Sequence, residues 1–322
     1  MAPADGADRE EPSLDQGSAV DQESAVDQES AADQESAADQ EPAVERPEFL
    51  PDPALSRAEM ESLQRDLAAA ATEADDHDLD PASVAIDEPA DLTGGLPEAR
   101  TDTSPGQPTA DAPVVVGVDQ AFLTPDEGPE RAVSAAVAFR DGDVIEYASA
   151  VTPLSIPYVP GLLAFREGGP IRAALAALDA EPDLLVCDGS GRIHFREAGL
   201  ATHIGVLVDA PSVGVAKRLL CGEPDESTDE RPAGWRTPIR ADERVTTAEP
   251  GTVIGHALQS RQYPNSRRVN PLYVSPGHRV STGTATDLVE ALCAGYKLPE
   301  PTRLADAYAD AVKREAQAAG SR

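Results

Sequence analysis

The sequence predicts an α/β fold in which a mixed sheet is flanked by helices. Compact apolar runs at residues 114–118, 184–186 and 204–208 are typical of buried strands or core helices. The dipeptide Asp141-Gly142 joins two further strand-like runs and favours a hairpin turn. After it, helix-like and strand-like segments alternate, which indicates helices packed on the faces of one sheet.

A helix is predicted to begin after Ser56, because Ser56 and Glu59 have the spacing of a capping box. Apolar residues then recur on one face of that helix, at Met60, Leu63, Leu67 and Ala71. The other predicted elements follow in chain order: strands at 113–119, twice within 131–151, at 183–188, 212–216, 252–258 and 272–275, and helices at 162–180, 199–207, 283–293 and 302–318.

The N-terminal region contains a six-residue repeat between residues 15 and 44, with DQESAV and DQESAA as typical units. Because it has acids and no large apolar residues, it cannot bury enough surface to offset its ordering entropy. We therefore predict a disordered acidic tail at 1–47 and one folded domain at 48–322, in which 73–112 is an acidic insertion expected to be mobile. A solvating role and a partner-docking role for the tail both remain open.

The net charge of −32 is concentrated outside the predicted folded core. Residues 1–47 contribute −12 and residues 73–112 contribute −10, whereas residues 113–322 carry only −7. The acidic total therefore does not exclude an enzyme that acts on nucleic acid. The chain also has three lysines against 23 arginines. An acid-rich, lysine-poor surface suits a cytoplasm of very high salt and indicates a halophilic host, although an ordinary protein from a GC-biased bacterium stays an alternative.

Cysteine and apolar patterns restrict the cellular compartment. Cys187, Cys221 and Cys293 are too few and too scattered for a disulfide framework or a CxxC metal site. No apolar run approaches the roughly 18 residues of a membrane span, and acids follow Met1 where a signal peptide has basic residues. We therefore expect a cytoplasmic protein with no membrane partner, and a monomer that requires no protein partner.

Three acids are candidates for a metal site. Asp119 and Asp188 each end an apolar predicted strand, where ligand sites form in such sheets. Either acid alone could cap a loop, and Glu167, early in a predicted helix, could be a solvated helix acid. Three carboxylates that converge from separate segments would instead suit Mg²⁺, which takes oxygen ligands and keeps several waters.

Six ordered motifs resemble those of the endonuclease V family. They are YVPGLLAFREGG from residue 158, PDLLVCDGSGRIH from 182, GLATHIGV from 199, PSVGVAKRLLCG from 211, SPGHRVS from 275 and LPEPTRLA from 298. The likeness covers about 56–313, apart from the acidic insertion. It implies an RNase H-like fold and hydrolysis of the second phosphodiester bond 3′ to deoxyinosine in DNA, leaving 3′-hydroxyl and 5′-phosphate ends.

The resemblance also implies roles for the residues at its matching positions. Asp119, Glu167 and Asp188 would be the carboxylates linked to Mg²⁺, with Mn²⁺ as an alternative ion. Lys217 would hold a phosphate or position the attacking water, and His278 would lie close to the reacting phosphate. The residues alone leave open a surface Lys217 and a loop His278.

A further part of the resemblance concerns recognition of the lesion. Tyr158, with φ fixed on either side by Pro157 and Pro160, is similar to the family's wedge, and its ring could stack on a base. From the residues alone, Tyr158 could equally be a core tyrosine in a turn. A pocket for flipped hypoxanthine would be lined by Gly161, Leu163, Gly199 and Leu220, while His194 would contact the base region or support the carboxylates. At molar salt, phosphate contacts gain little from counterion release, so we expect specificity to rest on pocket and wedge more than on a basic patch.

Departures from the family pattern leave the base preference open. Ser190 stands where the family often has Gln, Phe195 where it has Pro, and Gln120 follows Asp119 where Val is usual. Two rival functions remain: an endoribonuclease acting mainly on inosine in RNA, and a binding protein that grips unusual bases without cutting. The second would be marked by a lost carboxylate, and all three are present.

The charge distribution generates one prediction. Deletion of residues 1–47 should leave the specific activity within a few-fold of the full chain, because the tail lacks the apolar surface needed to form part of a core. Cleavage rates of the two proteins, measured at one salt concentration, test this. A collapse of activity would mean that the tail docks or folds.

Overall fold

The computed structural model describes residues 46–100, 111–124 and 129–320. The acidic repeats, and the disorder predicted for them, lie outside these residues. The boundary predicted after residue 47 falls inside a 3₁₀ turn at Pro47–Phe49, where Phe49 is buried and the Arg46 amide donates to the Leu207 carbonyl. The ordered domain therefore includes Arg46, and a truncation that spares the fold ends before it.

A nine-stranded mixed sheet forms the centre of the molecule, as the sequence predicts. Its spatial order is β3-β2-β1-β4-β5-β9-β8-β7-β6; β1, β4 and β5 run parallel, and the other neighbours are antiparallel. The strands are β1 (Val115–Leu123), β2 (Arg131–Arg140), β3 (Asp143–Pro153), β4 (Leu184–Asp188), β5 (Ser212–Ala216), β6 (Glu223–Pro224), β7 (Arg236–Arg240), β8 (Val253–Leu258) and β9 (Leu272–His278).

Two of these strands were not predicted. β6 has two residues, and β7 reads Arg-Thr-Pro-Ile-Arg, with charged ends and a proline. Only Thr237 and Ile239 of β7 are buried. Such a segment carries almost no apolar pattern, and its pairing with β8 depends on tertiary contact rather than on local propensity.

The described residues contain five α-helices, of which four pack on the two faces of the sheet and the first packs on the third. They are α1 (Arg57–Ala70), α2 (Leu163–Leu175), α3 (Leu200–Val208), α4 (Thr282–Ala291) and α5 (Glu300–Gly320). One apolar core lies between the sheet and α2 with α3, and a second lies between the sheet and α4 with α5. The capping box predicted for α1 is confirmed, since the Ser56 side chain accepts from the Glu59 amide and Glu59 accepts from the Ser56 amide.

Where the structure describes the acidic insertion, over 73–100, the segment packs against the domain instead of forming a separate loop, and its mobility stays a prediction. Val84 and Ile86 are buried in the core beside α4, and the Ile86 amide donates to the Ala291 carbonyl. Farther along, the Tyr147 hydroxyl donates to the Pro97 carbonyl. The segment is thus an extended strap whose few apolar residues face inward while its acids remain outside. The sequence pattern missed it because two apolar residues in an acidic stretch show no periodicity.

Asp75 within this strap binds the first turn of α4. Its carboxylate accepts from the Ser281 amide at 2.6 Å and from the Thr284 hydroxyl at 2.8 Å. An acid at a helix N-terminus satisfies free amide donors and complements the helix dipole. The strap is therefore held by hydrogen bonds as well as by its apolar contacts.

Within the described ranges, no helix combines the length and apolar character needed to cross a membrane.

The close approach of α5 to β1 generates a stability prediction. A Cβ on Gly117 would lie 2.1 Å from the Pro301 carbonyl carbon, a backbone atom that cannot swing aside. Gly117→Ala should therefore push α5 off the sheet and destabilise the protein by about 2 kcal/mol or more. Denaturant unfolding at high salt measures this.

Gly283→Ala is the matched control, because a Cβ at Gly283, inside α4, meets nothing within 4 Å. Replacing glycine by alanine in a helix should stabilise by roughly 0.5 to 1 kcal/mol. Equal effects of the two substitutions would contradict the packing described.

Candidate active site

Two carboxylates and one lysine lie at the same edge of the sheet. Val118 of β1 pairs with Cys187 of the parallel strand β4, so Asp119 and Asp188 follow side by side. Asp188 is in register with Val215 of β5, and Lys217 comes directly after that strand. The Lys217 ammonium donates to the Asp188 carboxylate at 2.6 Å. The parallel pairing thus brings together three residues that are far apart in the chain.

Glu167 reaches this group from α2. The Gln120 side-chain amide donates to the Glu167 carbonyl at 3.2 Å and to the Ser134 hydroxyl at 2.7 Å, which fixes α2 over the end of β1. The negative charge of Asp188 contributes to raising the pKa of the Glu167 carboxyl group. The structure therefore brings all three predicted acids into electrostatic contact.

Burial makes Asp119 and Glu167 hard to ionise in the protein without a cation. Desolvation, reinforced by the charge of Asp188, raises the pKa of Asp119 to about 8, against opposing effects of the Gln120 amide and Lys217. Desolvation also raises the pKa of Glu167 to about 7, although the neighbouring Arg166 opposes it. The site has more buried negative charge than its own cations neutralise, and a divalent cation would remove that excess.

Lys217 is held as a cation by the same acids. Partial burial lowers its pKa, but the hydrogen bond to Asp188 and the charges of Asp188 and Asp119 outweigh burial and raise it overall. Lys217 is therefore charged at neutral pH. A charged ammonium at this position can hold a phosphate oxygen, whereas it cannot act as a base.

The donor set fits a hard cation. In the part of the chain that the structure describes, no three His, Cys, Asp or Glu side chains are already grouped as a metal site. Asp119, Glu167 and Asp188 nonetheless offer carboxylate oxygens in partly desolvated surroundings, and oxygen is the donor that Mg²⁺ and Mn²⁺ take. Sulfur and imidazole donors, which would favour zinc, are not part of this set.

A fourth acid at this edge was missed by the sequence analysis. Asp306 of α5 adds its negative charge to those that raise the pKa of Asp119, and it also acts on Lys217. The motif from Leu298 ends at Ala305, one residue short of it. In the structure, Leu304 and Ala305 are buried against the sheet, and this places the exposed Asp306 beside the strand end.

His278 lies at the opposite edge of the sheet, which corrects its predicted position beside the reacting phosphate. It pairs with Ser212, the first residue of β5, while Lys217 follows the last, a separation of roughly 16 Å along the strand. Its ring is buried between the Asp209 carboxylate at 3.0 Å and the Thr72 amide at 3.1 Å. His278 therefore anchors the start of the strap through Thr72. The sequence motif around His278 does not reveal which end of β9 the histidine occupies.

Tyr158 is the most exposed of the large hydrophobic side chains in the described residues, with 66% of its surface accessible. This exposure rules out the core-tyrosine alternative. Its loop is fastened on the N-terminal side by Arg166, which donates to the Ile156 carbonyl at 2.9 Å and pairs with Glu130. Pro157 and Pro160 stiffen the loop further, so the ring is presented from a constrained turn.

The C-terminal side of the same loop is fastened at Gly161, which has φ of +80°. Its carbonyl accepts from the Gln64 side chain at 3.0 Å and from the Arg196 guanidinium at 3.3 Å. A Cβ at Gly161 would approach the Phe195 ring at 3.2 Å. Gly161 is thus required for the turn, and α1 takes part in positioning the Tyr158 loop through Gln64.

His194 lies beneath this loop as a neutral ring. Desolvation, with the charge of Arg196, lowers its pKa to about 4, while the Gly161 carbonyl opposes that shift. Its Nδ1 accepts from the Arg196 amide at 3.3 Å, so Nε2 carries the proton. His194 therefore supports the Tyr158 loop, and it is a neutral hydrogen-bonding group rather than a base.

The remaining predicted pocket residues occupy different environments. Gly199 is buried at the start of α3, where a Cβ would lie 2.2 Å from the Ser190 carbonyl oxygen, so it packs against the turn after β4. Leu163 is half-buried at the first position of α2, and Leu220 is 38% exposed beyond Lys217. The pocket that these residues would line remains a prediction.

Comparison with known proteins gives concordant matches. The family described as Endonuclease V matches residues 99–307. Endonuclease V of Halobacterium salinarum, a halophilic archaeon, is 60% identical over 269 residues, covering 83% of this chain and 98% of that protein. The crystal structure of endonuclease V from Streptomyces avermitilis is 34% identical with a TM-score of 0.59, covering 81% of this chain and 95% of the other.

A third similar protein was crystallised with nucleic acid. Endonuclease V of Ciona intestinalis, in complex with a 24mer DNA containing an inosine followed by a ribo-adenosine, is 24% identical with a TM-score of 0.58. The alignment covers 80% of this chain and 98% of that chain. At this identity the likeness concerns the fold.

The raised pKa values of Asp119 and Glu167 generate a prediction about stability. Both acids bind protons more tightly in the folded than in the unfolded chain, so their stabilising contribution is complete below about pH 4 and is lost as the pH rises through about 7 and 8. In excess chelator, the free energy of unfolding should fall between pH 5 and pH 8, on the order of 2 kcal/mol.

Asp119→Asn should remove most of this decline, because the amide does not ionise. Asp310→Asn, at an exposed position of α5, is the matched control and should keep the decline of the wild type. Denaturant unfolding at several pH values checks both. A decline that survives in Asp119→Asn would show that other groups cause it.

Proposed function

The chain belongs to the endonuclease V family, and we propose that it is a repair endonuclease that hydrolyses the second phosphodiester bond 3′ to deoxyinosine in DNA. The products would be 3′-hydroxyl and 5′-phosphate ends, and the reaction would depend on Mg²⁺ or on Mn²⁺ in its place. The observation that carries the proposal is the group of desolvated acids Asp119, Glu167 and Asp188 at one sheet edge, next to a charged Lys217.

A cation at this edge would be held by Asp119, Glu167 and Asp188. When bound, such an ion supplies a water of lowered pKa and neutralises charge on the phosphate in the transition state. The acids are fixed by two strand ends and by the Gln120 contact to α2, so they do not have to be ordered by the substrate. Asp306 lends a further negative charge from α5.

Lys217 would bind a phosphate oxygen of the strand. Its ammonium is fixed on Asp188, at the edge where the cation would sit, and it remains charged. Replacing that charge by a neutral group would weaken both the phosphate contact and the neutralisation of Asp188. The lysine is thus suited to positioning the scissile group rather than to proton transfer.

Tyr158 would act as the wedge at the lesion. Its ring is exposed on a loop pinned at Ile156 and Gly161, so little conformational entropy is lost when the ring inserts between bases. The neutral His194 lies under the same loop and offers a hydrogen bond without adding charge. A neutral polar group matches hypoxanthine, which is itself uncharged. Cytoplasmic location and a monomeric state remain predictions.

Substitution of the strand-end acids tests the mechanism. Asp119→Ala or Asp188→Ala should reduce cleavage roughly 10³-fold or more, since several kcal/mol of transition-state stabilisation depend on the cation. Binding to deoxyinosine DNA should stay detectable, because the Tyr158 loop is untouched. Asp310→Ala serves as the control.

The measurement is single-turnover cleavage of a duplex with one deoxyinosine, with Mg²⁺ and in excess chelator, with the cut position mapped. Full activity of either mutant, or in chelator, would contradict the mechanism. A parallel assay on inosine RNA of the same sequence decides between the DNA and RNA substrates.

A further inference from the structure

The connection between β8 and β9 leaves the sheet at the same edge as the acids. Leu258, the last residue of β8, pairs with Leu272, the first residue of β9, so residues 259–271 project from that edge. Tyr273 of β9 pairs with Ala216, directly before Lys217. Neighbouring strands lie about 4.8 Å apart. This connection therefore ends one strand away from Lys217, where it enters β9.

Two glutamines hold the connection in one conformation. Gln259 is buried, and its side-chain amide donates to the Arg261 and Val269 carbonyls, both at 2.8 Å. Gln262 closes the same ring, donating to the Val269 carbonyl at 2.9 Å and accepting from its amide at 3.2 Å. The base of the connection is thus cross-linked by four hydrogen bonds that do not depend on the surface charges.

The tip presents arginines stacked on tyrosines. The Arg261 guanidinium lies 5.1 Å from the ring centre of Tyr263 and 5.4 Å from that of Tyr296, and Arg268 lies 5.3 Å from Tyr263. The two tyrosine side chains are 41% and 42% exposed. Arg303 also lies over Tyr296, at 4.4 Å from its ring centre. These cation–π contacts orient the guanidinium groups, and both side chains keep part of their surface exposed to solvent.

These arginines are not neutralised by acids, in a chain rich in acids. Within the described ranges, no carboxylate forms an ion pair with Arg261, Arg267 or Arg268. Arginines of the neighbouring strand β7 differ, since Arg236 pairs with Asp287 and Arg240 pairs with Asp225. The stretch 260–270 contains three arginines and no acid. It therefore keeps an uncompensated positive charge.

Lys297 extends this charge toward the acids. The Ser260 hydroxyl donates to the Lys297 carbonyl at 2.6 Å, which ties the segment before α5 to the connection. Burial and the charge of Lys217 lower the pKa of Lys297. Two of the three lysines in the chain thus lie within electrostatic reach of each other at this edge.

We propose that Arg261, Tyr263, Arg267, Arg268, Tyr296 and Lys297, called the arginine–tyrosine surface, bind the nucleic-acid strand as it leaves the catalytic acids. Guanidinium and ammonium groups would bind successive phosphates, and the two exposed rings would stack on bases. The inference rests on the proposed function, because it assumes that a nucleic-acid strand is bound at the catalytic acids. Stacking is not screened by ions, so the tyrosines would maintain contact at salt concentrations that weaken the phosphate contacts.

Affinity measured in chelator tests the proposal without requiring cleavage. The probes are a labelled single-stranded oligonucleotide with one deoxyinosine and its deoxyguanosine counterpart, titrated from moderate to molar KCl. The triple variant R261Q/R267Q/R268Q should weaken binding of both probes and reduce the slope of log affinity against log salt by about 2, since each single-strand phosphate contributes about 0.7. Tyr263→Leu should weaken binding about fivefold or more, also at molar salt.

Arg240→Gln is the matched control, because it removes an exposed guanidinium that Asp225 already neutralises. It should leave affinity and slope unchanged, and circular dichroism at each salt concentration verifies folding. R261K/R268K keeps the positive charges but removes the planar guanidinium groups that stack on the tyrosines. It should therefore keep the slope of log affinity against log salt and bind nucleic acid more weakly.

Two outcomes would overturn the proposal. The first is a triple variant that binds as tightly as Arg240→Gln; if residues 1–45 are then also cleaved more easily by protease, the surface is assigned to the acidic tail. The second is a loss of affinity confined to the deoxyinosine probe. A wild-type chain that binds both probes in chelator but does not cut the deoxyinosine duplex in the presence of Mg²⁺ would refute the proposed function and leave the affinity result interpretable.

Discussion

The parallel register of β1, β4 and β5 is the constraint on which the site depends. It places the ends of three strands side by side, so that Asp119, Asp188 and Lys217 meet although nearly a hundred residues separate the first from the last. Bringing the acids together has an electrostatic cost, which appears as the raised pKa values of Asp119 and Glu167. The two apolar cores on either face of the sheet offset that cost and hold the strands in register.

Helices on both faces of the sheet supply further acids next to the strand ends that carry Asp119 and Asp188. α2 supplies Glu167 and carries the Tyr158 loop at its start, and α5 supplies Asp306 where it crosses β1 at Gly117. The absence of a Cβ at Gly117 allows that crossing. The proposed metal ligand Glu167 and the loop of Tyr158, the proposed wedge, therefore share one helix, so the distance between them is set by the backbone rather than by flexible side chains.

The central sheet and the positions of Asp119 and Asp188 could be predicted because local signals and tertiary structure agree there, whereas Glu167 was predicted from the resemblance to the endonuclease V motifs. Apolar runs end in carboxylates at Asp119 and Asp188, and the capping box marks α1. The failures have a common physical cause. The strap at 73–100, the strand β7 and the position of His278 all depend on contacts between distant segments, which leave little periodicity in the local sequence. Asp306 was missed because it is exposed and lies just beyond the motif that otherwise identifies its helix.

The acidic strap is attached to the rest of the domain through its own carboxylates. Asp75 binds the first turn of α4, and Glu73 pairs at 3.0 Å with Arg192, which also pairs with Glu197 in the turn region beside His194. Some of the acids that suit this protein to concentrated salt therefore also form hydrogen bonds and ion pairs with other parts of the domain. Grafting the strap onto a relative from dilute surroundings would transfer its charge but not its anchorage, unless Ser281, Thr284 and Arg192 were transferred with it.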